Sequence, residues 1–80
     1  MKTVSMPLSH LEEGQSASVL EIKHNGSMVR RLQDLGMVPG TCIRCERIAP
    51  AGSPTAYCIR GAMVALRRSD ADNILMERRV

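Results

Sequence analysis

Eighty residues with a formal net charge of +3, 44% apolar content, one Tyr and neither Phe nor Trp make one domain at most, built on an aliphatic core. A chain this short buries only about 60% of the surface its unfolded form exposes, which leaves little stability for a deep catalytic cleft. No apolar run approaches the roughly 18 residues of a membrane span, residues 1–6 lack a secretory core, and three irregularly spaced cysteines do not form a disulfide framework; a cytoplasmic, reducing location is therefore expected.

Residues 1–6 and 78–80 read as flexible termini around one domain over residues 7–77. Pro7 to Gly14 reads as a short helical turn that tucks Leu8 and Leu11 under the domain, with Ser9 capping it, Glu12 three residues on and Gly14 ending it. Gln15 to Ile22 has strand composition, but its apolar phase slips between Val19 and Leu20, the mark of a bulge or of a strand covered on both faces. After Asn25-Gly26-Ser27, residues Met28, Leu32 and Leu35 fall at i, i+4 and i+7 on one helical face, with Val29 at its rim and Arg30, Arg31 and Asp34 opposite. Gly36 then closes the helix through the left-handed conformation, and Pro39-Gly40 supplies the central pair of a type II turn.

Thr41 to Ala49 alternates as a strand, with Ile43 and Cys45 on one face and Cys42, Arg44 and Glu46 on the other. Residues 50–54 form a hairpin loop, and Thr55 to Ile59 returns with Tyr57 and Ile59 inward and Ala56, Cys58 and Arg60 outward. Gly61 breaks this strand, Ala62 to Leu66 follows with Val64 and Leu66 inward, and Ser69-x-x-Asp72 resembles a capping box opening one helical turn. A last short strand, Ile74-Leu75-Met76, precedes the basic tail. The chain is thus mainly β, a small SH3-like barrel of about five strands with one amphipathic helix and short helical turns.

Four segments in order carry a family resemblance: Leu8-Ser9-His10-Leu11 with Gly14, Arg31 to Gly40, the Ala49-Pro50-Ala51-Gly52-Ser53-Pro54 hairpin, and Arg60-Gly61 leading to Ala65-Leu66-Arg67-Arg68-Ser69. Together they resemble the FeoA family, the ferrous iron transport protein A domain, over Pro7 to Glu77. The resemblance implies an SH3-like barrel acting as a non-enzymatic cytoplasmic accessory or regulator of ferrous iron uptake, with FeoB, the membrane Fe(II) transporter with a GTP-binding domain, as partner. The barrel is also similar to the C-terminal domain of iron-dependent repressors, although neither a helix-turn-helix nor a dimerisation segment is expected before it here. The chain departs from the family pattern at Cys42, Cys45 and Cys58, so nothing about metal carries over.

No nucleophile has a base beside it, no carboxylate pair shares a helical face and no phosphate-binding glycine motif occurs, so the chain reads as a non-enzyme that requires no cofactor. His10 and His24 each stand alone. Cys42-x-x-Cys45 has the spacing of a zinc half-site, but on a straight strand the two sulfurs point to opposite faces, which makes Cys45 a small core residue. Cys42 and Cys58 both face outward, opposite or diagonal across one ladder, where they are either idle thiols or two ligands for a soft ion. As ligands they would favour Zn(II) over Fe(II), in a metal-linked homodimer because each chain offers too few groups. Nine arginines against two lysines raise nucleic acid as an alternative partner, and a metal-responsive module as another function. With Tyr57 the one aromatic residue and expected inward, the chain lacks a base-stacking platform, so nucleic acid is not the expected partner. Transporter binding is expected on the exposed helix face and the loop after it, through Arg30, Arg31, Asp34 and Met37.

Overall fold

The computed structural model describes residues 2–23 and 27–79, with Ser27 and Met28 defined by their backbone alone. Its strands are β1 (Thr3–Pro7), β2 (Ser16–Ile22), β3 (Cys42–Ile48), β4 (Thr55–Ile59), β5 (Ala62–Leu66) and β6 (Ile74–Arg79), and its helices are α1 (Ser27–Asp34) and α2 (Arg68–Ala71). A 3₁₀ turn at Leu8–His10 separates β1 from β2. The strands form one antiparallel sheet in the order β1-β6-β2-β3-β4-β5.

Period-two alternation decides which side chains enter the core. On β3 Ile43 and Cys45 are buried while Cys42 and Arg44 face out, and on β4 Thr55, Tyr57 and Ile59 are buried. Val19, Leu66, Ile74 and Met76 join them from β2, β5 and β6, while Leu8, Leu11 and Ala71 close the core from the turn and α2. Val64 is half-buried against this cluster. The expected slip in β2 is a register shift between Val19 and Glu21 opposite β6. This bulge leaves Leu20 exposed without reversing the rest of the strand.

Three expectations are corrected by the structure. Residues 3–6 and 78–79, read as flexible ends, lie in β1 and β6, paired in register from Thr3↔Arg79 to Pro7↔Leu75. Each end supplies the other's ladder hydrogen bonds, a benefit invisible in either segment alone, and the strands number six among the described residues. The expected caps also differ: Pro7 precedes the 3₁₀ turn and Arg67 precedes α2, neither making a side-chain cap. Ser9 Oγ instead donates to Asp72 Oδ1, joining the two turns, and Ser53 Oγ accepts from the Arg68 N–H at 3.1 Å. Finally, Leu35, expected to continue the apolar helical face of Met28 and Leu32, is 40% exposed, because α1 ends one residue before it.

Candidate functional site

The segment that ends α1 builds the site. The Met37 N–H donates to Leu32 O at 2.9 Å and the Gly36 N–H to Gln33 O at 2.9 Å, the paired closure of a Schellman motif with Gly36 at φ +92°. That motif brings the residue after the glycine against the residue three from the helix end, and here these are Met37 and Leu32, both buried. Met37 therefore leaves the expected partner surface: with no exposed area it serves the core.

The chain then makes the expected tight turn, in which the Thr41 N–H reaches Val38 O at 3.0 Å around Pro39-Gly40, with Gly40 at φ +92°. The Gly40 N–H donates to Val19 O at 2.7 Å and the Val19 N–H to Thr41 O at 2.8 Å, fastening the turn to the bulged part of β2. Thr41 Oγ1 also donates to Gly36 O at 2.8 Å. The end of α1 is thereby tied to the sheet through both ends of its loop.

Between α1 and the β5–α2 segment lies an open groove of about 200 Å³, lined by Arg31, Leu32 and Leu35 on one side and by residues 64–67 and Asp70 on the other. Leu35 and Val64 give it apolar surface, and Arg31 and Arg67 give it two fixed positive charges. Arg31 is thus a predicted site residue that the structure places at a concave surface. Arg30 and Asp34 are exposed on α1 outside the groove lining. Leu35, Val64 and Arg67 were missed, because the groove depends on how α1 meets β5, more than 25 residues along the chain. One local signal was present: a helix closed at Gly36 makes Leu35 the capping residue and turns it out of the stripe.

The sulfur groups separate as alternation requires. Cys45 is buried, and burial, followed by the nearby Glu13 and Glu46 carboxylates, pushes its thiol above the usual range. It is a core residue and a poor thiolate. Cys42 is exposed and Cys58 half-exposed, and the pairing of Arg44 with Cys58 puts Cys42 on the diagonal from Cys58 on the outer face. His10 lies apart on the 3₁₀ turn, and His24 lies outside the described residues. Among the described residues no three His, Cys, Asp or Glu side chains gather as a metal centre.

Tyr57 is buried, its hydroxyl donating weakly to Leu8 O at 3.5 Å, and burial pushes its pKa up to about 12. It offers no stacking face to a nucleic acid. No helix among the described residues is long and apolar enough to cross a membrane.

Comparison with known proteins places this geometry. The family model for the FeoA domain matches residues 6–78. The Fe(2+) transport protein A/Fe(2+) transporter FeoB fusion protein of Porphyromonas gingivalis is 35% identical over 72 residues, which are 90% of this chain and 8% of that protein. The chain therefore spans only a small part of that curated relative. The solution structure of the FeoA protein from Chlorobium tepidum superposes with a TM-score of 0.84 at 35% identity, covering 89% of this chain and 69% of the other. Stenotrophomonas maltophilia FeoA, crystallised with zinc and described as a prokaryotic SH3 domain protein, gives 0.80 at 32% identity, covering 92% and 96%.

Proposed function

Because the chain belongs to the FeoA family, we propose that it is a non-enzymatic cytoplasmic accessory of ferrous iron uptake that binds a FeoB-type transporter. The observation that carries this reading is the fusion relative, in which a segment similar to nearly the whole of this chain is covalently part of the transporter polypeptide. Joining two modules in one chain gives them a high effective concentration, an arrangement useful to domains that work in contact.

The groove between α1 and β5–α2 is the docking site in this reading. Leu35 and Val64 receive an apolar side chain of the transporter's cytoplasmic portion, while Arg31 and Arg67 pair with flanking carboxylates. Arg30 and Asp34, exposed on the same helix, form the rim, where charge governs encounter more than affinity. The test is capture of the detergent-solubilised cognate transporter by the immobilised chain. Arg31→Glu with Arg67→Glu is expected to abolish capture and reduce iron uptake while the circular dichroism spectrum stays native. Undiminished capture by the folded double variant would remove the groove from this role.

A further inference from the structure

Half of the sheet's outer face is polar and half is not. On β2 and β6 the outward residues include Ser16, Ser18, Glu77 and Arg79, as expected of an antiparallel sheet with one face in water. On β4 and β5 they are Ala56, Cys58, Met63 and Ala65, set directly opposite one another as Ala56↔Ala65 and Cys58↔Met63. Strand β3 borders these pairs with Arg47 across from Ala56 and Arg44 across from Cys58. Met63 is 61% exposed, the most exposed of the large apolar side chains among the described residues, and its flexible thioether is free to adapt. The apolar surface continues onto the β3–β4 loop, where Pro50 and Pro54 join Ala56, Ala65 and Arg47 around an open depression of about 310 Å³.

We propose, on the docking reading above, that this outer face of β4 and β5 is a second contact surface for the transporter, taking an apolar segment of its cytoplasmic portion flanked by carboxylates. Continuity names the partner. Ala65 lines both the depression and the groove beside α1, and β5 pairs with β4 alone, so a partner seated in the groove reaches the face around the free edge of β5. An exposed apolar patch rimmed by polar groups is the usual mark of a protein contact, and the small side chains of Ala56 and Ala65 let a partner approach closely.

Charge sets the partner's chemistry. The extended backbone of Arg67, at φ −69° and ψ 152°, carries the alternation of β5 one step on, so Arg67 follows Met63 and Ala65 on the same face. Arg44, Arg47 and Arg67 thus border the patch. Glu46 engages the Arg44 guanidinium at 3.5 Å, while among the described residues Arg47 and Arg67 make no ion pair and no carboxylate lines the depression. Carboxylates flanking an apolar segment of the transporter would complete these arginines. A second copy of the chain would instead bring the same arginines to the contact, and like charges set face to face oppose association.

The experiment is capture of the detergent-solubilised cognate transporter by the immobilised full chain, with alkylation of Cys58 as a footprint. Ala56→Glu and Met63→Glu place a carboxylate in the apolar face, and each should weaken capture at least about tenfold while keeping a native circular dichroism spectrum. In a Cys42→Ser chain, where Cys58 is the one thiol left outside the core, its alkylation should slow on complex formation. Leu35→Glu alters the groove and not the face. If it abolished capture while folded Met63→Glu captured normally and Cys58 stayed equally reactive in the complex, the face would be overturned and the groove retained. Absence of capture by the unsubstituted chain would refute the docking reading and the face with it. A dimer of the free chain that Met63→Glu dispersed would give the face to a second copy and equally overturn its role toward the transporter.

Discussion

Replacing Gly36 with alanine tests the motif on which the end of α1 and the groove both depend. The substitution has two separable effects. At φ +92° an L-residue is strained, and the left-handed region costs such a residue roughly 1–2 kcal/mol. A Cβ at this position would also stand 2.5 Å from Cδ of Arg60, whose side chain lies over the glycine. Because that neighbour is a flexible side chain rather than backbone, it yields by leaving its preferred rotamer, at about 0.5–1.5 kcal/mol. In a domain of this size 1 kcal/mol shifts the melting temperature by about 4–8 °C, so backbone strain alone should lower it by roughly 4–16 °C. Thermal denaturation followed by circular dichroism measures this, and a thermodynamic cycle with Arg60→Ala separates the two effects. In the Arg60→Ala background, Gly36→Ala should still destabilise by the strain contribution. A loss below about 2 °C there would refute the argument from positive φ. Gly36→Val should be more damaging still, since a β-branched residue is a true outlier at positive φ.

The buried pair Leu32 and Met37 should behave as core: Leu32→Ala or Met37→Ala should lose about 2–5 kcal/mol, a large part of the stability of an 80-residue domain, in chemical denaturation. A Met37→Ala chain of native stability that failed to capture the transporter would return Met37 to the partner surface. Tyr57 makes stability pH-dependent at the alkaline end. Its hydroxyl titrates near 10 when unfolded and near 12 when folded, so between these values the unfolded chain has released a proton that the folded chain retains. The contribution of Tyr57 is therefore fully present below pH 10 and falls as pH rises towards 12, above the loss that buried Cys45 begins near pH 9; Tyr57→Phe should reduce the slope of the denaturation midpoint between 10 and 12, and an unchanged slope would contradict the burial argument. For docking, capture should weaken as ionic strength rises if Arg31 and Arg67 pair with carboxylates, and a salt-independent interaction would point to apolar contact alone.

Much of the fold was legible because it is written in short-range chemistry. The alternation of Cys42 to Cys45 and of Tyr57 to Ile59 set the inner and outer faces, the phase slip after Val19 marked the bulge, and Pro39-Gly40 specified its turn. What failed had its cause elsewhere in the chain. Thr3–Pro7 becomes a strand because its partner ends at Arg79, and two arginines at that end look like a solvated tail until a paired edge is supplied. The caps failed for a related reason: Ser9 and Asp72 fit local capping patterns, yet their side chains satisfy each other across the whole domain. Met37 is the exception, since the Schellman motif itself predicts a hydrophobic contact from the residue after the glycine back to the helix. Reading Gly36 only as a terminator left Met37 on the surface.

The candidate sites differ in the same way. The diagonal of Cys42 and Cys58 depends on the six-residue loop 49–54 and on the extra residue on β3 between Cys45 and Arg47, which lies between the loop and the pair and sets Cys58 opposite Arg44 instead of Cys45. Met63 needed one further piece of information, the β4–β5 register through Arg60-Gly61, where Gly61 at φ +85° and Arg60 at φ +51° make the reversal. A turn tight enough to place both central residues at positive φ fixes the facing pairs, so Met63 opposite Cys58 is a consequence of Arg60-Gly61 rather than an independent coincidence. The groove has no such local determinant. It exists because the Schellman closure and the Val19–Gly40 hydrogen bond tie the end of α1 to the sheet, leaving Leu35 to face Val64 across open space. Loosening Gly36 should therefore degrade docking before it unfolds the sheet. A Gly36→Ala chain that remained folded and captured the transporter as well as the unsubstituted chain would refute the dependence of the groove on the closure of α1.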